Sequence, residues 1–155
     1  MVVGADGFTG LTTLFGMRAA GTRAMVQIGG EALRMPIEPF EQHLADARLR
    51  QPLGVYASRT LSRIAQSTGC VAFHPIEQRL ARWLLMVRDS LDREEFPLTQ
   101  EFLSYMLGVH RPTVTIASRL LVNAGLIEHR RGVIRIIDPE GLEQASCECY
   151  AYWRG

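Results

Sequence analysis

The stretch from Pro97 to Ile137 constrains the fold more than any other part of the chain. Thr99 is a good N-cap, and Glu101 brings negative charge into the first turn after it. Phe102, Leu103, Met106 and Leu107 give one apolar face, and Gly108 tolerates the positive φ that ends a helix. A second helix is expected from about Arg111 to Asn123, with Val114, Ile116, Ala117, Leu120 and Leu121 turned inward. Ala124-Gly125 closes it. The run from Leu126 to Ile137 then reads as a hairpin, because β-prone residues flank Arg131-Gly132. Asp138-Pro139-Glu140 opens a last helix with a cap, a proline at the first position and an acid in the first turn.

Helix, glycine turn and helix within about 25 residues is the helix-turn-helix pattern. A hairpin after the second helix is a wing. In this arrangement the second helix enters the DNA major groove with its N-terminal residues at the base edges. Those residues are His110, Arg111, Pro112, Thr113 and Thr115, with Arg119 farther along the same helix. Arg111 can donate two hydrogen bonds to a guanine edge, and Thr113 and Thr115 can reach phosphates or a thymine methyl. Thr99 and Gln100 open the first helix, and Arg130 and Arg131 form a wing tip suited to phosphates. Each feature has a plainer account. A helix–glycine–helix pair occurs in many bundles, and a lone surface arginine is usually just solvated. The full order, ending in a basic hairpin, is what makes the pattern specific.

Charge agrees locally rather than globally. The formal net charge of the chain is only +1. Between Leu98 and Ile137, however, Arg111, Arg119, Arg130, Arg131 and Arg135 face only Glu101 and Glu128, a net +3 before His110 and His129 are counted. No nucleophile–base pair and no phosphate-cradling loop stand out, so no enzyme is expected. The cysteines are Cys70, Cys147 and Cys149, too few for a disulfide framework. Cys147-x-Cys149 offers too few ligands at the wrong spacing for zinc, so neither a metal nor a cofactor is expected. There is no signal peptide and no apolar run of about 18 residues, so the expectation is a cytoplasmic chain without a membrane partner.

At 155 residues and 47% hydrophobic, the chain can fold as one ordinary domain or two small ones. Its first 40 residues are punctuated by glycines, with short strand candidates at Met25–Ile28 and Ala32–Met35. A short helix is expected from Pro39 to about Leu49. Pro52 can open the next helix, running to Phe73. Leu53, Ala57, Leu61, Ile64, Thr68 and Val71 recur on it with nearly a 3.5-residue repeat, a seam suited to pairing with a second helix. Packing within its own domain is the alternative. Phe73-His74-Pro75 breaks the chain there, and Pro75 starts a helix to about Leu91. Its apolar stripe is Ile76, Leu80, Leu84, Val87 and Leu91, with Arg79, Arg82, Arg88 and Asp89 off the stripe.

Several segments resemble the Crp/Fnr family of bacterial transcription regulators. They are His74-Pro75-Ile76-Glu77-Gln78-Arg79-Leu80-Ala81-Arg82-Trp83-Leu84-Leu85, Leu98-Thr99-Gln100-Glu101, Leu107-Gly108-Val109, Arg111-Pro112-Thr113-Val114-Thr115 and Ala124-Gly125-Leu126-Ile127. The resemblance implies a winged helix whose groove-reading helix opens at Arg111, and a phosphate contact at Thr99. The family's Arg-Glu-Thr-Val-x-Arg becomes Arg111-Pro112-Thr113-Val114-Thr115-Ile116, which implies a different operator. The helix at 52–73 corresponds to the family's dimerisation helix. Phe8-Thr9-Gly10-Leu11 sits where the sensor barrel carries Phe-x-Gly-Glu, and Thr22-Arg23-Ala24 where cyclic-nucleotide sensors carry Arg-Ser-Ala. Leu11 replaces the glutamate and Arg23 is one position off, so no cyclic-nucleotide binding is expected. The family's earlier barrel strands have no counterpart here, which implies an N-terminally truncated, degenerate sensor. The N-terminal cysteine cluster of the family's iron–sulfur branch also has no counterpart.

The expected fold is therefore α+β: a partial β-roll sensor remnant (1–51), a long dimerisation helix (52–73) and a C-terminal winged helix-turn-helix (74–155). The expected partners are double-stranded DNA with a palindromic operator and a second copy of the chain, with RNA polymerase a further candidate. The alternative is a dimerising interaction protein, or a small-molecule sensor, with weak or no specific DNA binding.

Overall fold

The computed structural model describes residues 2–5 and 7–154. Met1 and Gly155, the outer bounds of the expected first and last domains, and Asp6 within the first lie outside the described residues. Within them the N-terminal 36 residues form one short 3-10 turn, Leu11–Phe15, and no strand. This corrects the strands expected at Met25–Ile28 and Ala32–Met35. A strand needs a neighbour to receive its N–H and C=O groups, and among the described residues no backbone hydrogen bond reaches these runs. Val26 and Leu33 are correspondingly open to solvent. The segment is held instead by α1 (Ile37–His43), where Phe8 stacks on Phe40 at 5.5 Å between ring centres and Arg18 pairs with Glu41 at 2.6 Å.

The long helix α2 spans Ala47–Phe73 and begins earlier than expected. Asp46 accepts the Arg48 N–H at 2.9 Å, and that cap sets the start. Pro52, expected at the start, lies in the second turn. At about 1.5 Å per residue the helix is about 40 Å long. His74 and Pro75 break it, and α3 follows from Ile76 to Leu91. The expected one-sided stripe on α3 is only part of what is covered, since every residue from Arg79 to Val87 is buried. It is the central helix of the C-terminal half, packed against later helices on several sides. Arg79 and Arg82 are thus buried, not surface residues.

Strand β1 (Glu95–Pro97), unforeseen in the sequence, precedes helices α4 (Gln100–Leu107) and α5 (Arg111–Asn123). Strands β2 (Ile127–Arg130) and β3 (Val133–Ile136) follow, and the three form an antiparallel sheet in the order β1-β3-β2. Helix α6 (Pro139–Ala145) is capped by Asp138, which accepts the Gly141 N–H at 2.9 Å. A final helix, α7 (Cys149–Arg154), had not been anticipated. Leu80, Leu84, Leu103, Val114, Ala117, Ile134 and Leu142 are fully buried in one core joining α3 to α6 and the sheet. Each large aliphatic side chain there contributes about 1.5–3 kcal/mol. The observed architecture is α+β: mostly helical, with one small sheet and a long helix before the C-terminal half.

Candidate nucleic-acid interface

The turn between α4 and α5 forms as its residues dictate. Thr99 caps α4, its hydroxyl accepting the Phe102 N–H at 3.2 Å. Gly108 sits at φ 65° and ψ 37°, a conformation that a side chain resists, and its N–H returns to the Ser104 carbonyl. Arg79 of α3 donates from Nη2 to the carbonyl of Leu107, the last residue of α4. A buried guanidinium therefore holds the helix end that aims α5. Leu103 and Leu107 of α4 and Val114, Ala117, Ser118 and Leu121 of α5 are buried. Their spacing on α5 is one face, and Ile116 and Leu120 fall off it. This corrects their expected inward placement: both are more than half exposed.

The wing is a two-residue hairpin. Arg130 pairs with Val133 and His129 with Ile134, and Arg131-Gly132 make the turn. Arg131 at φ 49° and Gly132 at φ 77° are both left-handed, which matches the type I′ turn that suits the twist of a hairpin. Glycine adopts that conformation without cost; arginine does not. The Leu98 N–H donates to the Gly132 carbonyl at 2.7 Å, so the wing tip is fastened to the residue before Thr99.

The result is one face. Thr99, Gln100, Arg111, His129, Arg131 and Gly132 line a single open depression. His110 and Arg111 are exposed at the start of α5, Thr113 is half-buried, and Arg119 is exposed farther along the helix. Arg130 and Arg131 are exposed at the wing. Thr115 is already engaged: its hydroxyl lies 2.8 Å from Gln100 Oε1 and 3.1 Å from the Arg111 carbonyl. Donation to Gln100 leaves the Gln100 amide NH2 free for a ligand. Burial holds the His129 imidazole below its usual pKa, opposed by a backbone hydrogen bond with Leu98. The half-buried His129 ring of the wing thus shares the depression with Thr99 and Gln100.

The seam on α2 divides in two. Leu53 is half-buried and Ala57 is buried within the chain, so Ala57 is covered and corrects its expected place in a pairing surface. Leu61, Ile64, Thr68 and Val71 are exposed in a row. The opposite side of α2 meets α7, where the Arg63 guanidinium lies 4.0 Å above the Trp153 ring and donates to its carbonyl at 2.8 Å. Tyr150 of α7 donates to Asp89 Oδ2 at 2.7 Å, and burial first, then that carboxylate, pushes the phenol up to about 12.

The cysteines depart from expectation. Cys70, Cys147 and Cys149 come together with His74, and one donor atom from each lies within 4.8 Å of all the others. Four potential ligands thus meet where the sequence shows only Cys147 and Cys149 close together. Burial pushes the Cys70 thiol up and the Cys147 thiol up to about 12.

Residues 78–145 match the profile of the Crp-like helix-turn-helix domain. No curated protein matches the chain. A Crp/Fnr-family transcriptional regulator from Eubacterium rectale is similar at TM-score 0.55 and 24% identity, over 71% of this chain and 51% of that one. A Crp/Fnr-family transcriptional regulator from Thermus thermophilus gives 0.61 and 23%, over 65% of this chain and 55% of that one. A second regulator of that organism, of the CRP family, gives 0.56 and 20% over the same shares. The chain spans about half the length of these structures, and what they share with it at these identities is the fold.

Proposed function

We propose sequence-specific DNA binding by a homodimer, to regulate transcription, for this chain, whose residues 78–145 match the Crp-like helix-turn-helix domain. The observation that carries this reading is the shared face of Thr99, Gln100, Arg111, His129 and Arg131, which joins both helices of the motif to the wing. Arg111 reads a base edge from the N-terminus of α5, with His110, Thr113 and Thr115 beside it. Thr99, Gln100, Arg119, Arg130 and Arg131 hold phosphates. The helix N-terminus adds its own attraction for an anion.

The open row Leu61, Ile64, Thr68 and Val71 supports pairing of α2 with its twin. Residues 52–73 then serve as the dimerisation segment between a sensor remnant at 1–51 and the DNA-binding domain at 74–155. Such a dimer holds two α5 helices on half-sites about 34 Å apart. Cyclic nucleotide is not the effector in this reading, because Leu11 replaces an acidic partner and Arg23 is exposed in a segment without strands. The protein is a regulator and not an enzyme, and its DNA partner places it in the cytoplasm. Among the described residues no helix is long and apolar enough to cross a membrane.

Selection from a pool of random duplexes tests this. The expected product is a palindrome with half-sites one helical turn apart, bound with an affinity that falls steeply in salt. One observation favours a second reading, a dimerising interaction protein. The outer face of α5 carries Ile116 and Leu120, 61% and 52% exposed. That reading predicts a stable dimer and no recovered motif.

A further inference from the structure

We propose that Cys70, His74, Cys147 and Cys149 form a closed, structural zinc site that fastens the end of α2 to α7. Cys70 and His74 lie four residues apart, one helical turn, at the C-terminal end of α2. Cys147 and Cys149 flank the connection into α7. Packing of α7 on α2 brings the pairs together although Cys70 and Cys147 are 77 residues apart in the chain.

Two of the separations match those around one ion, and all four donor atoms lie within 4.8 Å of one another. Cys70 Sγ and Cys147 Sγ are 3.6 Å apart, and Cys149 Sγ and His74 Nδ1 are 3.5 Å apart. Tetrahedral zinc, with Zn–S near 2.3 Å and Zn–N near 2.0 Å, separates its ligands by about 3.8 Å between sulfurs and about 3.5 Å between sulfur and nitrogen. The sulfur pair is well beyond the roughly 2.05 Å of a disulfide. An iron–sulfur cluster is several atoms wide and spreads its terminal ligands farther than one ion does. Four protein ligands leave no open position, as in structural rather than catalytic zinc sites.

The surroundings fit the metal as well. His74 Nδ1 faces the sulfurs while Nε2 lies 3.0 Å from Glu148 Oε1, so the carboxylate can take the Nε2 proton and leave Nδ1 as the ligand. Gln66 Nε2 donates to Cys149 Sγ at 3.0 Å, a contact that favours thiolate. Three thiolates and one zinc ion carry a net charge of −1, and the buried cation Arg82 lowers the cost of that charge at Cys70. Arg82 Nε is buried with no hydrogen-bond partner. The three buried sulfurs crowd together beside His74, every donor atom within 4.8 Å of the others. With zinc, each sulfur gains a bond, and α7 becomes a clamp between the pairing helix and the DNA-binding half.

The full chain, purified without a histidine tag under reducing conditions and anaerobically, should contain one zinc per chain by elemental analysis. After chelation it should take up one Co2+ per chain, giving thiolate-to-cobalt charge transfer and the intense visible bands of a four-coordinate ion, and zinc should displace the cobalt. Glu148→Gln is exposed enough to leave folding intact and should weaken zinc binding about tenfold. The three thiols should resist alkylation until zinc is removed. Zinc below one-tenth of an equivalent together with no cobalt spectrum would overturn the proposal. So would iron with acid-labile sulfide, a six-coordinate cobalt spectrum, or a Cys70–Cys147 disulfide in freshly prepared anaerobic protein.

Discussion

Replacing Arg131 with asparagine should raise stability and lower DNA affinity in the same molecule. Arg131 turns the wing at φ 49°. A side-chain-bearing residue in the left-handed region costs about 1–2 kcal/mol. Asparagine before glycine is the pair that a type I′ turn favours, because its short side chain tolerates that region. Arg131→Asn should therefore recover about 1 kcal/mol, a rise in Tm of about 3 °C for a chain of this size. The same change removes a cation from the proposed DNA face. Each lost phosphate contact lowers the slope of log K against log salt by about 0.9, so a dimer should lose about 2. Calorimetry of the free protein and fluorescence anisotropy on a fixed duplex across a salt series measure the two halves separately. A lower Tm would refute the strain argument. An unchanged salt slope would refute the placement of Arg131 on phosphate. The strain then sits at the wing tip for the sake of binding.

Three further outcomes follow from the packing. Arg79→Met keeps the aliphatic stem but removes the charged donor from the Leu107 carbonyl, and should cost about 1.5–3 kcal/mol in urea unfolding with an unchanged m-value; an unchanged midpoint would remove Arg79 as the support of the turn. Because burial lowers the His129 pKa from 6.5, the folded chain binds that proton less readily than the unfolded chain. Its contribution is complete above about pH 6.5 and is lost as pH falls from there through the folded-state value, so stability should fall across that interval and His129→Gln should flatten the fall in a series of urea midpoints. Ile64→Glu puts two charges into the proposed seam of a dimer and should raise its dissociation constant about 100-fold or more in sedimentation equilibrium, while the Tm of the dilute chain stays nearly constant.

The parts legible in the sequence were those fixed by local chemistry. Thr99, Gly108, Gly132 and Asp138-Pro139 each set a cap or a turn from their own chemistry, and the helix-turn-helix and wing appear between those residues as expected. Pattern failed where burial depends on distant partners. Ile116 and Leu120 are apolar but lie off the face set by Val114, Ala117 and Leu121. Arg79 and Arg82 look like surface charges until later helices close around α3. The N-terminal β-prone runs have the residue types of strands, yet among the described residues no strand forms there. Short β1 pairs only because β3 arrives about 40 residues later, Phe96 against Ile134. The cysteine cluster was the most hidden: its signal in the sequence was the Cys70-x-x-x-His74 spacing on one helical turn, which means nothing until α7 delivers the other two ligands.

The central claim is that α5 reads base edges through Arg111. Parallel selections from one random duplex pool, with the wild-type chain and with Arg111→Ala, address it directly. The account predicts a palindrome for the wild type. For the variant it predicts the same palindrome with preference lost at one base pair in each half-site, at a cost of about 1–3 kcal/mol in affinity for the wild-type site. Identical preferences for the two proteins, or no motif for the wild type, would contradict it.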